Sequence, residues 1–337
     1  MEYKGKKILI TGGTGSCGHL ITHRLIQKKA KEILILSRDE KKHFDMQHEF
    51  REFPQVKFMI GDIRDYARIN EAMSSVDIVF QTAAMKHVNQ CQQNPFEAAK
   101  TNILGIQNVI NAALENKVDR VISLSTDKAV EPVNTMGMTK AIGENLITAA
   151  NISPKNKGTK LCSIRYGNVM NSRGSVIPFF RHMISTGQTV PITDHEMTRF
   201  MLTLGEAADL VFFAAENLQG GEIFVRKAPS VYIKDIAEVL AEEKGAKLKT
   251  KEIGIFPGEK IHETLISSSE MNRAKEQKDY WVITANNIDS KKGSKKEYCS
   301  KNELVPKSQI PALLKRADAE HKQSHSELTL FNKEGKA

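Results

Sequence analysis

Tryptophan, cysteine and long apolar runs are scarce in this chain of 337 residues, which holds one Trp, four Cys and only 6% aromatic residues. Cys17, Cys91, Cys162 and Cys299 lie far apart without CxxC spacing, so they give no disulfide framework and no thiolate metal site, and they fit a reducing compartment. No apolar run approaches the roughly 18 residues of a membrane-spanning helix, which excludes membrane insertion. The polar start Met1–Lys7 and the short apolar run Ile8–Ile10 lack the length and the cleavage site of a signal peptide, so the expected location is cytoplasmic. A concentrated basic element is also missing. The net charge of +9 is spread out, with +4 on residues 287–337 and the rest elsewhere. Its densest run, Lys291, Lys292, Lys295 and Lys296, has no interleaved aromatics and reads as a solvated loop, not a nucleic-acid surface. A diffuse positive balance suits phosphorylated, anionic small molecules.

What is present is an alternation. With 40% apolar residues the chain can bury a full core and still shape a cleft. Short β-branched runs at 7–11, 32–37, 56–60, 77–82, 120–125 and 160–166 read as strands, and the segments between them carry helical periodicity. The strands are apolar on both faces, as buried parallel strands are. The expected fold class is therefore α/β, a Rossmann-type doubly wound parallel sheet with a smaller C-terminal substrate-binding lobe. The division is expected near residue 166: residues 1–166 form the nucleotide domain, and 167–337 mainly the substrate lobe, with a polar tail from about 286. Asn286–Pro306 is the least periodic stretch and is expected to be a mobile loop.

The first strand runs through Thr11 into Gly12-Gly13-Thr14-Gly15-Ser16-Cys17-Gly18, which opens a helix. Glycines between a buried strand and a helix let a dinucleotide pyrophosphate approach backbone N–H groups at the positive end of the helix dipole. The second strand ends at Ser37-Arg38-Asp39, with Lys42 nearby. An NAD site usually places a carboxylate there on the ribose 2′-hydroxyl; Ser37, Arg38 and Lys42 suit a 2′-phosphate, and Asp39 is placed to cap the next helix. NADP is expected over NAD. Asp62 and Ile63 after the third strand, and Ala83 and Ala84 after the fourth, occupy strand ends where ligands of open α/β sheets sit.

After the fifth strand the chain reads Ser125-Thr126-Asp127-Lys128-Ala129-Val130, and the next helix carries Met136 and Lys140, four apart and on one face. Here the sequence resembles the extended short-chain dehydrogenase/reductase family, whose helix carries Tyr-x-x-x-Lys. Met136 stands in the tyrosine position, and a thioether neither donates nor accepts a proton. Together with Arg165-Tyr166-Gly167-Asn168-Val169-Met170, Ser172-Arg173-Gly174-Ser175-Val176-Ile177-Pro178 and Met197-Thr198-Arg199-Phe200-Met201, these motifs resemble the inverting UDP-N-acetylglucosamine 4,6-dehydratases of capsular polysaccharide synthesis. The resemblance runs from about residue 7 to about residue 265.

It implies a lyase reaction on a UDP-sugar, for surface polysaccharide or glycan synthesis. Asp127 would be the acid toward the C6 oxygen and Lys128 the C5 base, and Thr126 would hold the C4 hydroxyl. Lys140 would hold the nicotinamide ribose, and it, or a water it orients, is the expected acceptor of the C4 hydroxyl proton. Lys86-His87, Asn168, Arg173, Val176, Arg199, Glu259 and Glu263 would serve the substrate, with Asn168 and the two arginines on its diphosphate. Asn89, Gln92 and Phe256 depart from the family pattern. The resemblance also implies a homo-oligomer, often a hexamer. A UDP-hexose 4-epimerase and a non-catalytic NADP-binding regulator are the competing readings. No metal is expected: His19 and His23, like His321 and His325, have helical ligand spacing but no third ligand in view.

Overall fold

The computed structural model describes residues 2–172, 174–285 and 296–320. Six strands alternate with helices in its first half: β1 (Lys7–Thr11), β2 (Glu32–Ser37), β3 (Val56–Ile60), β4 (Ile78–Gln81), β5 (Arg120–Leu124) and β6 (Lys160–Arg165). Successive side chains of a strand point to opposite faces, and both faces here are covered. Ile8, Ile10, Ile33, Ile35, Ile122 and Ile164 pack on one side, with Leu210 and Ala214 of the helix Leu204–Asn217. Leu9, Leu36, Val79, Val121 and Leu161 pack on the other, against Val109 and Ile110 of Gly105–Glu115 and Ile147 of Thr135–Asn151.

The later strands are β7 (Asn168–Val169), β8 (Val190–Ile192), β9 (Thr198–Leu202), β10 (Ile223–Arg226), β11 (Ser230–Tyr232), β12 (Thr250–Glu252), β13 (Thr264–Ile266), β14 (Ala274–Gln277), β15 (Tyr280–Ile283) and β16 (Tyr298–Cys299). The large sheet has nine strands in the order β14-β15-β10-β6-β5-β4-β1-β2-β3. All neighbours from β10 to β3 are parallel, and the β14–β15 hairpin adds an antiparallel edge. Strand order reverses beside β1, which lies between β2 and β4; a crevice opens there at the carboxyl ends of the strands.

Residues 167–337 do not form the smaller lobe alone. The helix Leu204–Asn217 covers the large sheet, and β10, β14 and β15 extend it. The lobe itself is built on β7-β9-β11 and β8-β12, with Val176–Ser185, Ile233–Lys244 and the helix over 310–320 around one apolar core. Part of the expected mobile loop is likewise built in: β16 pairs with β13, and Ser300 N–H donates to Glu263 O at 2.8 Å. Residues 286–295 of that loop, and the tail after 320, lie outside the described residues.

The helical segment between β4 and β5 contains a wider π-type turn at Lys100–Leu104, between Pro95–Ala99 and Gly105–Glu115. That turn presents Asn102, fully buried, which bonds both backbone groups of Met85 at 2.9 Å and Thr139 Oγ1 at 3.0 Å. It thereby ties the chain after β4 to the helix that carries Lys140. Among the described residues no helix is long and apolar enough to cross a membrane.

Candidate active site

A cleft of about 830 Å³ opens along the carboxyl ends of β1 to β6. Its nucleotide end is a cradle that side chains would fill. Gly12 has φ +64°, and a Cβ there would lie 2.7 Å from the Ala83 Cα; a Cβ on Gly18 would lie 2.5 Å from the Gly13 Cα. Glycine is thus required at Gly12 for the turn and at Gly18 for the seating of the helix. Gly15 caps Ser16–Gln27 in extended conformation, and its neighbours Ser16 and Cys17 place backbone donors at the helix start. These residues fit a dinucleotide. Thr11, expected on the cofactor, is not on the cleft wall: it is fully buried, and its hydroxyl bonds Gln81 beneath the turn.

At the far edge, Ser37 Oγ lies 2.9 Å from Thr14 Oγ1, and Asp39 caps Glu40–Glu49 through Lys42 N–H at 3.0 Å. Lys42 Nζ pairs with the same carboxylate, and those two bonds hold Asp39 below the usual carboxylate range. Arg38 is exposed at the cleft mouth, 3.6 Å from Asp62, which Arg64 also binds. Asp62, Ile63, Ala83 and Ala84 line the middle of the cleft.

The reacting end is assembled by a short turn. Thr126 starts it, donating from Oγ1 to Asp127 Oδ1 at 2.9 Å and accepting from Lys128 N–H. Asp127 is 1% exposed, with Oδ2 unpartnered. Lys128 Nζ lies 3.1 Å from Asp127 Oδ1 and 3.0 Å from Glu263 Oε1. Burial opposes the Lys128 charge, but the two carboxylates outweigh both burial and the nearby Arg199, so its pKa is raised. Burial also raises Glu263, against the pull of Lys128.

The turn sits close against the next helix because residue 137 is glycine. A Cβ on Gly137 would lie 2.1 Å from Lys128 O. Met136 is buried against Cys91 and Ala98 and reaches the cleft wall. Lys140 is buried, on the cleft wall, and donates to Leu124 O; burial lowers it to about 8, against an opposing pull from Glu144. Tyr166 also lines the cleft, but burial raises its phenol far above the ordinary value and keeps it neutral.

The residues expected on the substrate fall into two groups. Lys86, His87 and Asn168 line the cleft. Gln92, one of the departures, accepts from Thr135 N–H and Oγ1–H at 3.2 and 2.9 Å and so anchors the start of the Lys140 helix. Arg199 and Glu263 do not line the cleft; they are buried beneath the turn. Arg199 Nη1 donates to Thr198 O and Ile261 O, and Glu263 accepts from Lys128. Arg199, expected on the diphosphate, is 6% exposed. Val176 starts the helix Val176–Ser185 and packs against the smaller lobe's core, and Glu259 is also off the cleft wall. Its neighbour Lys260 donates to Val130 O, so this segment braces the turn. Arg173 lies outside the described residues. Sequence reasoning missed the bracing roles of Glu263 and Gly137; no local signal marks Glu263, which stands far from Lys128 in the chain. Nor did it find a third donor beside His19 and His23, which Glu49 supplies.

Residues 8–285 match the family described as polysaccharide biosynthesis protein. The chain is 47% identical over 284 residues to an inverting UDP-N-acetylglucosamine 4,6-dehydratase of Campylobacter jejuni, covering 84% of each. It is 46% identical over 282 residues to a UDP-glucose 4-epimerase of Rickettsia canadensis, covering 82% of each. The solved structure of Pen from Bacillus thuringiensis superposes with a TM-score of 0.89 at 41% identity, over 94% of this chain and 98% of that one. The chain therefore belongs to the polysaccharide biosynthesis protein family, and its fold is that of the extended short-chain dehydrogenases/reductases.

Proposed function

We propose that this protein is an NADP-dependent lyase that removes water from UDP-N-acetylglucosamine to give a UDP-2-acetamido-2,6-dideoxy-4-hexulose with inverted C5. The observation that carries the reading is the ion pair of half-buried Lys128 with buried Asp127, lining the same cleft as Lys140, with a thioether where a phenol would serve an epimerase. The names of the relatives include both activities; the side chains favour dehydration, which needs an acid at C6 and a base at C5 where 4-epimerisation needs neither.

The glycine cradle would hold NADP+, whose nicotinamide would supply the acceptor for the C4 hydride and the donor for its return to C6. Ser37, Arg38 and Lys42 support the 2′-phosphate form, since Asp39 is turned to its own helix and to Lys42. Lys140, with its lowered pKa, is suited to receive the C4 hydroxyl proton, which Thr126 positions. Once C4 is a ketone the C5 proton is acidic. Lys128 takes it after passing its own proton to Asp127, whose Oδ1 lies 3.1 Å from its Nζ. Asp127 delivers that proton to the C6 oxygen, and water leaves. Lys86, His87 and Asn168 hold the nucleotide sugar. The cytoplasm is the proposed location, in keeping with four free cysteines, and a homo-oligomer is the proposed assembly.

The test is incubation of the purified protein and NADP+ with UDP-N-acetylglucosamine, followed by mass spectrometry and NMR. Loss of one water with a new C6 methyl signal supports the reading, and the C5 coupling reports inversion. Unchanged mass with galacto-configured signals makes the protein an epimerase. No reaction with any UDP-hexose makes it a regulator.

A further inference from the structure

A second cavity of about 760 Å³ adjoins the cleft along the glycine-turn helix. Its wall carries His19 and His23 from Ser16–Gln27 and Asp45 and Glu49 from Glu40–Glu49. Each pair is four residues apart, so each occupies one helical face, and the packing of the two helices turns those faces toward each other. His19 Nε2 is 2.6 Å from Glu49 Oε2, and His23 Nε2 is 3.3 Å from Glu49 Oε1. One donor atom from each of the three residues falls within 4.8 Å of the others, all three side chains being half-buried. Phe50 packs against both imidazole rings, at 5.4 and 4.7 Å between centroids, and limits their rotation.

We infer that His19, His23 and Glu49 form a binding site for a divalent transition-metal ion, Zn2+ foremost, whose fourth coordination position faces the cavity. Two imidazoles and one carboxylate with an open position are a zinc donor set of catalytic-site type, and a histidine pair four apart on a helix is a spacing that zinc sites use. Metal–ligand bonds of about 2.0–2.2 Å place neighbouring tetrahedral donors about 3.3 Å apart. His19 and His23 contact different oxygens of Glu49, at 2.6 and 3.3 Å, and the three donor atoms, within 4.8 Å of one another, close on one ion by shifts of about 1–2 Å. The cations on the cavity wall are held elsewhere, Arg24 by Asp209 and Gly205 O and Lys42 by Asp39.

The site joins the helix that begins at the glycine turn to the helix that follows Arg38. Thr14, Ser16 and Lys42 line both this cavity and the catalytic cleft. A bound ion would therefore fix the spacing of the elements that receive the two ends of the nucleotide's phosphate-bearing half. This inference rests on the helix pair alone and stands whichever sugar reaction the cleft performs.

The experiment uses the full chain, stripped of metal with a chelator and titrated with Zn2+ by calorimetry, with Co2+ as a spectroscopic probe. The expected result is one ion per chain with a dissociation constant in the micromolar range or tighter, and visible Co2+ bands of tetrahedral intensity. His23→Ala and Glu49→Gln should each weaken binding at least 100-fold, while His195→Ala, in the smaller lobe, should leave it unchanged. Glu49→Gln retains hydrogen-bonding capacity toward both imidazoles, so a folded variant is expected, and circular dichroism verifies it. Absence of a bound ion in the native chain overturns the inference, and so does undiminished affinity in folded Glu49→Gln.

Discussion

Lys140→Met tests the electrostatics of the cleft, because the same burial that suits Lys140 to proton transfer makes it costly to the fold. Lys140 is 7% exposed, and burial lowers its pKa from 10.5 to about 8. One pKa unit corresponds to about 1.4 kcal/mol, so holding the ammonium inside the folded protein costs about 3 kcal/mol at pH 7. Between the folded and unfolded values the unfolded chain binds the extra proton, so the native protein gains stability as pH rises through that window. By pH 10 the remaining cost is about 1 kcal/mol. Methionine is of similar volume and carries no charge, but it leaves Leu124 O without its donor, which costs about 1 kcal/mol. Cofactor-free Lys140→Met should therefore be about 2 kcal/mol more stable than the native protein at pH 7, and the two should be nearly equal at pH 10. Urea melts at both pH values measure this directly. A variant less stable at pH 7, or a difference that does not shrink with pH, would refute the assigned burial cost. Turnover of the same variant should fall at least about 100-fold.

Other substitutions probe the rest of the site. Gly137→Ala puts a methyl 2.1 Å from Lys128 O and should cost about 1–3 kcal/mol of stability, with turnover falling alongside; an unchanged melting temperature would show that the turn and the helix are not in contact. Glu263→Gln removes one of the two anions that raise Lys128, so the acid limb of the pH–rate profile should move to lower pH, and movement upward would argue against Lys128 as the base. Arg38→Ala should weaken NADP+ by about 10-fold or more with little change for NAD+, read by fluorescence titration; equal weakening of both would remove the 2′-phosphate assignment.

The sequence by itself determined the elements whose signals are local. β1 to β6 are legible because burial on both faces writes continuous apolar runs, and the glycine cradle is legible because a turn, a dipole and a close approach fall within seven residues. The Asp39 cap and the Asp127–Lys128 turn are equally local. Met136 was visible against Lys140 because helical periodicity fixes which residues share a face.

What only the tertiary structure decided are contacts between distant segments. β10, β14 and β15 return to the first sheet because its edge beyond β6 needed partners, and no spacing in the sequence states that demand. Arg199 and Glu263 read as phosphate and substrate contacts from their motifs, yet the packing of β9 and the segment before β13 buries them under Lys128. Glu49 becomes a third donor beside His19 and His23 only because two helices pack face to face. The sequence sets which residues can do chemistry, by local backbone preference and side-chain type. Which of them meet is set by the burial of apolar surface, a property of the whole chain.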